Sequence, residues 1–167
     1  MSCPRYRRHL NKSFVGRDTV DQLSRAAFYI SKIVATQPLT LLLIDDVRAE
    51  SLLMQCALEE TGLAYHLSVA RDGPEALELL LGNTEGELPA LILLADGLPK
   101  LNPAQVLAAL KENERTRSLP VLFLGSEYEA RRAHLPAVDA YSGRLTEVED
   151  YVQLGQKVAS LLRLHAR

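Results

Sequence analysis

The sequence predicts a doubly wound α/β domain, a five-stranded parallel sheet with helices on both faces, preceded by one extra helix at the N-terminus. Three observations predict it. From Leu39 onward, short apolar runs alternate with amphipathic segments in a regular βα order. The central runs Leu91–Leu94 and Val121–Leu124 are apolar at every position, as strands are when helices cover both faces of a parallel sheet. Helix starts are marked by a capping side chain three residues before Glu or Gln, the spacing at which each can satisfy a free backbone N–H of the other.

The strands are expected at 39–44, 64–70, 90–95, 120–124 and 137–142, and the helices at 48–61, 73–82, 103–114, 127–134 and 146–165. The capping spacings are Asp72-Gly73-Pro74-Glu75, Asn102-Pro103-Ala104-Gln105, Ser126-Glu127-Tyr128-Glu129 and Thr146-Glu147-Val148-Glu149. Pro103 stands at a first helical position, where its missing N–H costs nothing. In the last helix Val148, Tyr151, Val152, Val158 and Leu162 make one apolar stripe. Cys56 falls on the apolar side of the first domain helix and reads as a small buried hydrophobe.

Residues 1–37 stand apart as a basic extension, and 38–167 form the domain. The extension holds seven Lys/Arg against two Asp, whereas the remainder holds twelve against nineteen acidic residues. Such an arm is either solvated or touches an acidic surface. Within it Val20, Leu23, Ala27, Ile30 and Val34 share one helical face over 19–36, and Pro38 ends that helix. The stripe is expected to dock on its own domain or to pair with another subunit or partner.

Composition excludes several classes. The net charge of −2 gives no electrostatic case for nucleic acid. No apolar run approaches a membrane span or a signal-peptide core, so a cytoplasmic protein without membrane contact is expected. Two cysteines, Cys3 and Cys56, make neither a disulfide framework nor a metal set. The four histidines show no metal spacing, and Gly82 to Gly86 lacks the Lys and the strand–helix context of a phosphate loop.

Several motifs in order resemble one family. Leu41-Leu42-Leu43-Ile44-Asp45-Asp46 looks like a first strand closed by an acidic pair. Leu98-Pro99-Lys100 resembles a loop following a third strand, and Arg115 to Val121 the approach to a fourth. Asp139-Ala140-Tyr141 resembles a fifth strand with an aromatic switch residue. Together they resemble the receiver domain of two-component response regulators, of the single-domain type associated with phytochrome kinases, over roughly three quarters of the chain from Leu39 to Leu164. The resemblance implies a flavodoxin-like sheet of order 2-1-3-4-5, with ligands bound beyond the carboxyl ends of strands one and three, where strand order reverses.

The departures from that family gather at this site. The phosphorylated aspartate lies four residues before the loop proline, and here that position is Ala95, which has no nucleophilic oxygen. The hydroxyl that follows the phosphoryl group is replaced by Gly125, and the lysine three residues after the aromatic by Arg144, followed by Leu145 in place of proline. Arg144 keeps the charge but not the compact ammonium. Asp96 is the fallback acceptor, but one step along a strand turns a side chain to the opposite face. Ser126 lies one residue beyond the hydroxyl position and is accounted for as a helix cap. Asp45, Asp46 and the Gly97 backbone carbonyl are the candidate ligands for weakly held Mg²⁺, beside Asp96. Alternatively, an ion pair between the acidic residues and Arg144 closes the site and makes a metal unnecessary.

The resemblance therefore implies a non-enzymatic pseudo-receiver, an interaction module of two-component phosphorelay signalling that is not phosphorylated at the usual position and needs no cofactor. Its partner would be a protein, such as a histidine kinase or phytochrome-type sensor contacting the first domain helix. Homodimers would form through the last helix or the N-terminal helix. Tyr141 is either part of a switch or a packed aromatic. Two other readings stand beside this one: an active phosphoacceptor using Asp96 with Mg²⁺, and a small-molecule regulator using the vacated pocket.

Overall fold

The computed structural model describes residues 38–82, 84–136 and 138–165. The basic extension, with the helix expected at 19–36, lies outside the described residues. Strand β1 (Leu39–Ile44) is followed by α1 (Arg48–Glu59), β2 (Tyr65–Ala70) and α2 (Gly73–Leu77). Then come β3 (Leu91–Ala95), α3 (Pro103–Glu112), β4 (Val121–Leu124), α4 (Glu127–Arg132), β5 (Ala140–Tyr141) and α5 (Val148–His165). All four neighbouring pairs are parallel, in the order β2-β1-β3-β4-β5. The sheet order and helical layers are those expected.

Alternation along the strands divides the core in two. Leu42, Ile44, Ile92, Leu94, Val121 and Phe123 face one layer, against Leu80, Val106, Leu107 and Leu110. Leu41, Leu43, Leu91, Leu93 and Leu122 face the other, against Met54 and Leu58 of α1 and Tyr151, Leu154, Val158 and Leu162 of α5. With both faces covered, polar alternation is lost from the central strands. Gly155 lets α5 approach α1 closely, since a Cβ there would lie 2.6 Å from the Ala57 carbonyl oxygen.

Several local expectations are corrected. Strand β5 is only Ala140–Tyr141, because its approach is bridged by a side chain: the Asp139 carboxylate accepts the Val121 N–H at 2.8 Å. The segment after β2 is α-helical only to Leu77 and widens into a π turn over Glu78–Gly82. Helix α5 starts at Val148, and the carboxylate reaching back belongs to Asp150, not Glu149. It accepts the N–H groups of Thr146 and Glu147 at 2.8 and 2.9 Å. Of the expected α5 stripe, Tyr151, Val158 and Leu162 are buried, while Val148 is 60% and Val152 38% exposed. Cys56 is half-buried rather than part of the core. The caps at Asp72, Asn102 and Ser126 form as expected.

Candidate functional site

Register brings the site residues together. Ile44 pairs with Leu94, so Asp45 and Ala95 leave the sheet side by side, and Ala95 pairs with Leu124, just before Gly125. The reversal of strand order at β1 and β3 thus gathers the positions singled out in the sequence at one end of the sheet.

Asp45 is 3% exposed, with its own N–H bonded to the Ala70 carbonyl and its Oδ1 accepting the Val47 N–H at 2.9 Å. Its carboxyl is raised from 3.8 to about 6, first by burial, then by the charge of Glu50, whose carboxyl is within hydrogen-bonding reach, and by Asp46. The Val47 N–H pulls the other way and does not compensate. Asp46 itself is exposed. Tyr151 of α5 feels the same charges: burial, then Glu50 and Asp45, push its phenol up to about 12.

Ala95 is 5% exposed and closes β3 with a methyl group. Asp96, one step on, is exposed and accepts the Gly97 N–H at 2.9 Å, with Gly97 at φ 72° in the left-handed region that glycine tolerates. The three carboxylates expected near one another do not converge. Among the described residues no group of three His, Cys, Asp or Glu side chains is placed to hold a metal ion. Asp45 and Asp46 supply two carboxyl groups, so a divalent cation held here would take most of its oxygen ligands from water.

The cationic side is arranged differently from expectation. Arg144 does not pair with Asp45 or Asp46; its Nη2 lies 3.2 Å from Glu129 Oε1. Glu129 Oε2 accepts the Ser126 N–H at 2.7 Å and its hydroxyl at 2.8 Å. These donors hold the Glu129 carboxyl below its usual range, the Ser126 bonds contributing most and Arg144 less. Gly125 is buried, and a Cβ there would lie 2.6 Å from Phe123 Cε1. Tyr141 is half-buried against the core, and its carbonyl accepts from the Lys157 ammonium. Lys100, at φ 66°, pairs with the α2 cap Asp72, joining the β3–α3 and β2–α2 loops.

Sequence reasoning placed Asp45, Asp46, Ala95, Gly125 and Arg144 at this end of the sheet but missed three neighbours. Glu50 and Tyr151 carry no motif of their own; the first turn of α1 brings Glu50 to Asp45, and the packing of α5 beside α1 brings Tyr151. Glu129 was legible as the second half of a cap, and its extra partner Arg144 comes from a strand and loop away.

The sheet order, with an acidic group at the β1/β3 reversal, is that of a receiver fold. No family model matches the chain. It is 34% identical over 121 residues to the probable methanogenesis regulatory protein FilR2 of Methanothrix harundinacea, across 70% of this chain and 78% of that protein. Among solved structures, the Mn²⁺-bound form of response regulator Rcp1 superposes with a TM-score of 0.61 at 30% identity, covering 74% of this chain and 93% of that one. The phosphorylated cyanobacterial phytochrome response regulator RcpA gives a TM-score of 0.62 at 26% identity, covering 73% and 91%. The chain belongs to the receiver-domain response regulators of two-component systems. No helix among the described residues is long and apolar enough to cross a membrane.

Proposed function

We propose that this protein is a receiver that signals through protein contacts rather than through a phosphoryl group at the end of β3. The observation that carries this reading is the methyl group of Ala95, buried at the end of β3 beside Asp45, with the next carboxylate, Asp96, exposed and bonded to the Gly97 N–H. A phosphoryl acceptor needs a nucleophilic oxygen beside groups that neutralise developing charge. Position 95 offers no oxygen, and Arg144, which would supply charge, is bound to Glu129.

In this reading the protein is not an enzyme, needs no cofactor and acts in the cytoplasm. Asp45, Asp46 and the Gly97 carbonyl form an incomplete set that holds Mg²⁺ only weakly. The partner is a histidine kinase or phytochrome-type sensor, a proposal supported by the relatedness to phytochrome response regulators. Contact through α1 is supported by the exposed Val47 (42%) and Leu52 (54%) at the start of that helix.

Incubation of the full chain with a small phosphodonor and Mg²⁺, followed by intact-mass measurement, tests the reading. No added phosphoryl mass is expected. A stable increase that disappears in Asp96→Asn would overturn it and establish Asp96 as the acceptor.

A further inference from the structure

Two segments that are separate in sequence converge on the Glu129 carboxylate. Ser126, between β4 and α4, donates its N–H and hydroxyl to Oε2, and Arg144, between β5 and α5, donates to Oε1. The backbones beside them are already joined, with Gly143 N–H donating to the Gly125 carbonyl at 3.0 Å and Ser142 N–H to that of Phe123 at 2.9 Å. A Cβ at Gly125 would meet the buried Phe123 ring at 2.6 Å, whereas the Glu129 carboxylate, 3.2 Å from it, would have to give only a few tenths of an ångström. Helix capping alone would require Ser126 and the Glu129 carboxylate, but not Arg144.

We propose that Glu129 is a built-in anion that captures Arg144 and closes the β4–α4 loop onto the β5–α5 loop, holding this side of the domain together without an added phosphoryl group. Glu129 is fixed by two Ser126 bonds before Arg144 arrives, so pairing orders only one further side chain. Arg144 is 75% exposed, so the pair is screened and modest in strength. That suits a bias on loop opening rather than a structural pillar. The clamp takes from the proposed function only that no phosphoryl group reaches position 95. The two fail separately, one by added mass and the other by unchanged loop opening.

Amide hydrogen exchange on the full chain tests it, comparing the parent with Glu129→Gln, Arg144→Gln and the double variant. Gln at 129 still offers an oxygen to the Ser126 N–H, so the cap persists while the charge is lost. Each single variant is expected to speed exchange of the Gly143 and Ser142 amides about 2- to 5-fold, with the double variant no faster and the β1 amides unchanged. Arg144 lies outside any helix, so its variant decides the matter if Glu129→Gln perturbs α4. Unchanged Gly143 exchange in Arg144→Gln, or single effects that multiply in the double variant, would overturn the clamp.

Discussion

The two sides of the site treat the same chemical group in opposite ways. On the β1 side, Asp45 is buried beside Glu50 and Asp46 with one backbone N–H as donor, and burial raises its carboxyl to about 6. On the β4–β5 side, Glu129 and Asp150 each gather donors from neighbouring residues, and both are held below the usual carboxylate range. The difference lies in where the donors go. Arg144, the cation expected to compensate the acidic pair, is taken by Glu129, leaving the β1 side with excess acidity and the other side neutralised. The site thus retains a tendency to attract protons or cations at β1, while its loops at β4 and β5 are already satisfied internally.

Adding acid to the uncompensated side should have the largest effect. Ala95→Asp places a third carboxylate next to Asp45 in a position only 5% exposed. Without metal this should destabilise the fold by about 3 kcal/mol, as an unpaired buried charge does. If excess acidity is what the β1 side carries, millimolar Mg²⁺ should recover about 1–2 kcal/mol in the variant and less than about 0.5 kcal/mol in the parent. Urea unfolding with and without Mg²⁺ measures both, and equal Mg²⁺ responses would break the contrast between the two sides.

The opposite change on the same side should be stabilising. Asp45 has a folded-state carboxyl raised from 3.8 to about 6, so between those values the folded protein binds its proton more tightly than the unfolded chain does. Stability from this group is fully present below about pH 4 and is lost as pH rises through 6. Asp45→Asn keeps the oxygen that accepts the Val47 N–H and removes the titration. It should gain about 2 kcal/mol at pH 7 in the presence of a chelator, gain nothing near pH 3.5, and flatten the slope between. A parent-like stability at pH 7 would show that Asp45 is relieved by its surroundings.

The same contrast explains what could be read from the chain beforehand. Fully apolar strands and cap spacings report on local, repeated physics, and they correctly predicted the sheet and the caps at Asp72, Asn102 and Ser126. Asp45 and Ala95 were also legible, because strand ends and sheet order suffice to place them. The partner of Arg144 was not. The acidic pair was its expected partner, and the pairing with Glu129 instead depends on where the short β5 and the loop after it place the guanidinium. Similarly, Val148 and Val152 fit the α5 stripe by period, but the close approach allowed by Gly155 fixes which face of α5 is buried. These are long-range packing outcomes, for which sequence spacing carries no signal.

On the compensated side the expected effect is smallest and its signature is coupling. Ser126 Oγ accepts the Glu129 N–H at 3.2 Å and donates to Oε2 at 2.8 Å, so Ser126→Ala removes a helix cap and one support of the carboxylate that binds Arg144. The cap loss should cost about 1 kcal/mol in urea unfolding. If Glu129 joins the two loops, the same substitution should weaken the Arg144 pair, so Ser126→Ala and Arg144→Gln together should cost about 0.3–0.5 kcal/mol less than their sum. Asp46, exposed on the β1 side, provides the control: Asp46→Ala combined with Arg144→Gln should be additive, since no bond connects them. Additivity in the Ser126 pair, or coupling in the Asp46 pair, would place Arg144 with the acidic residues of β1 and reverse the assignment of charge between the two sides.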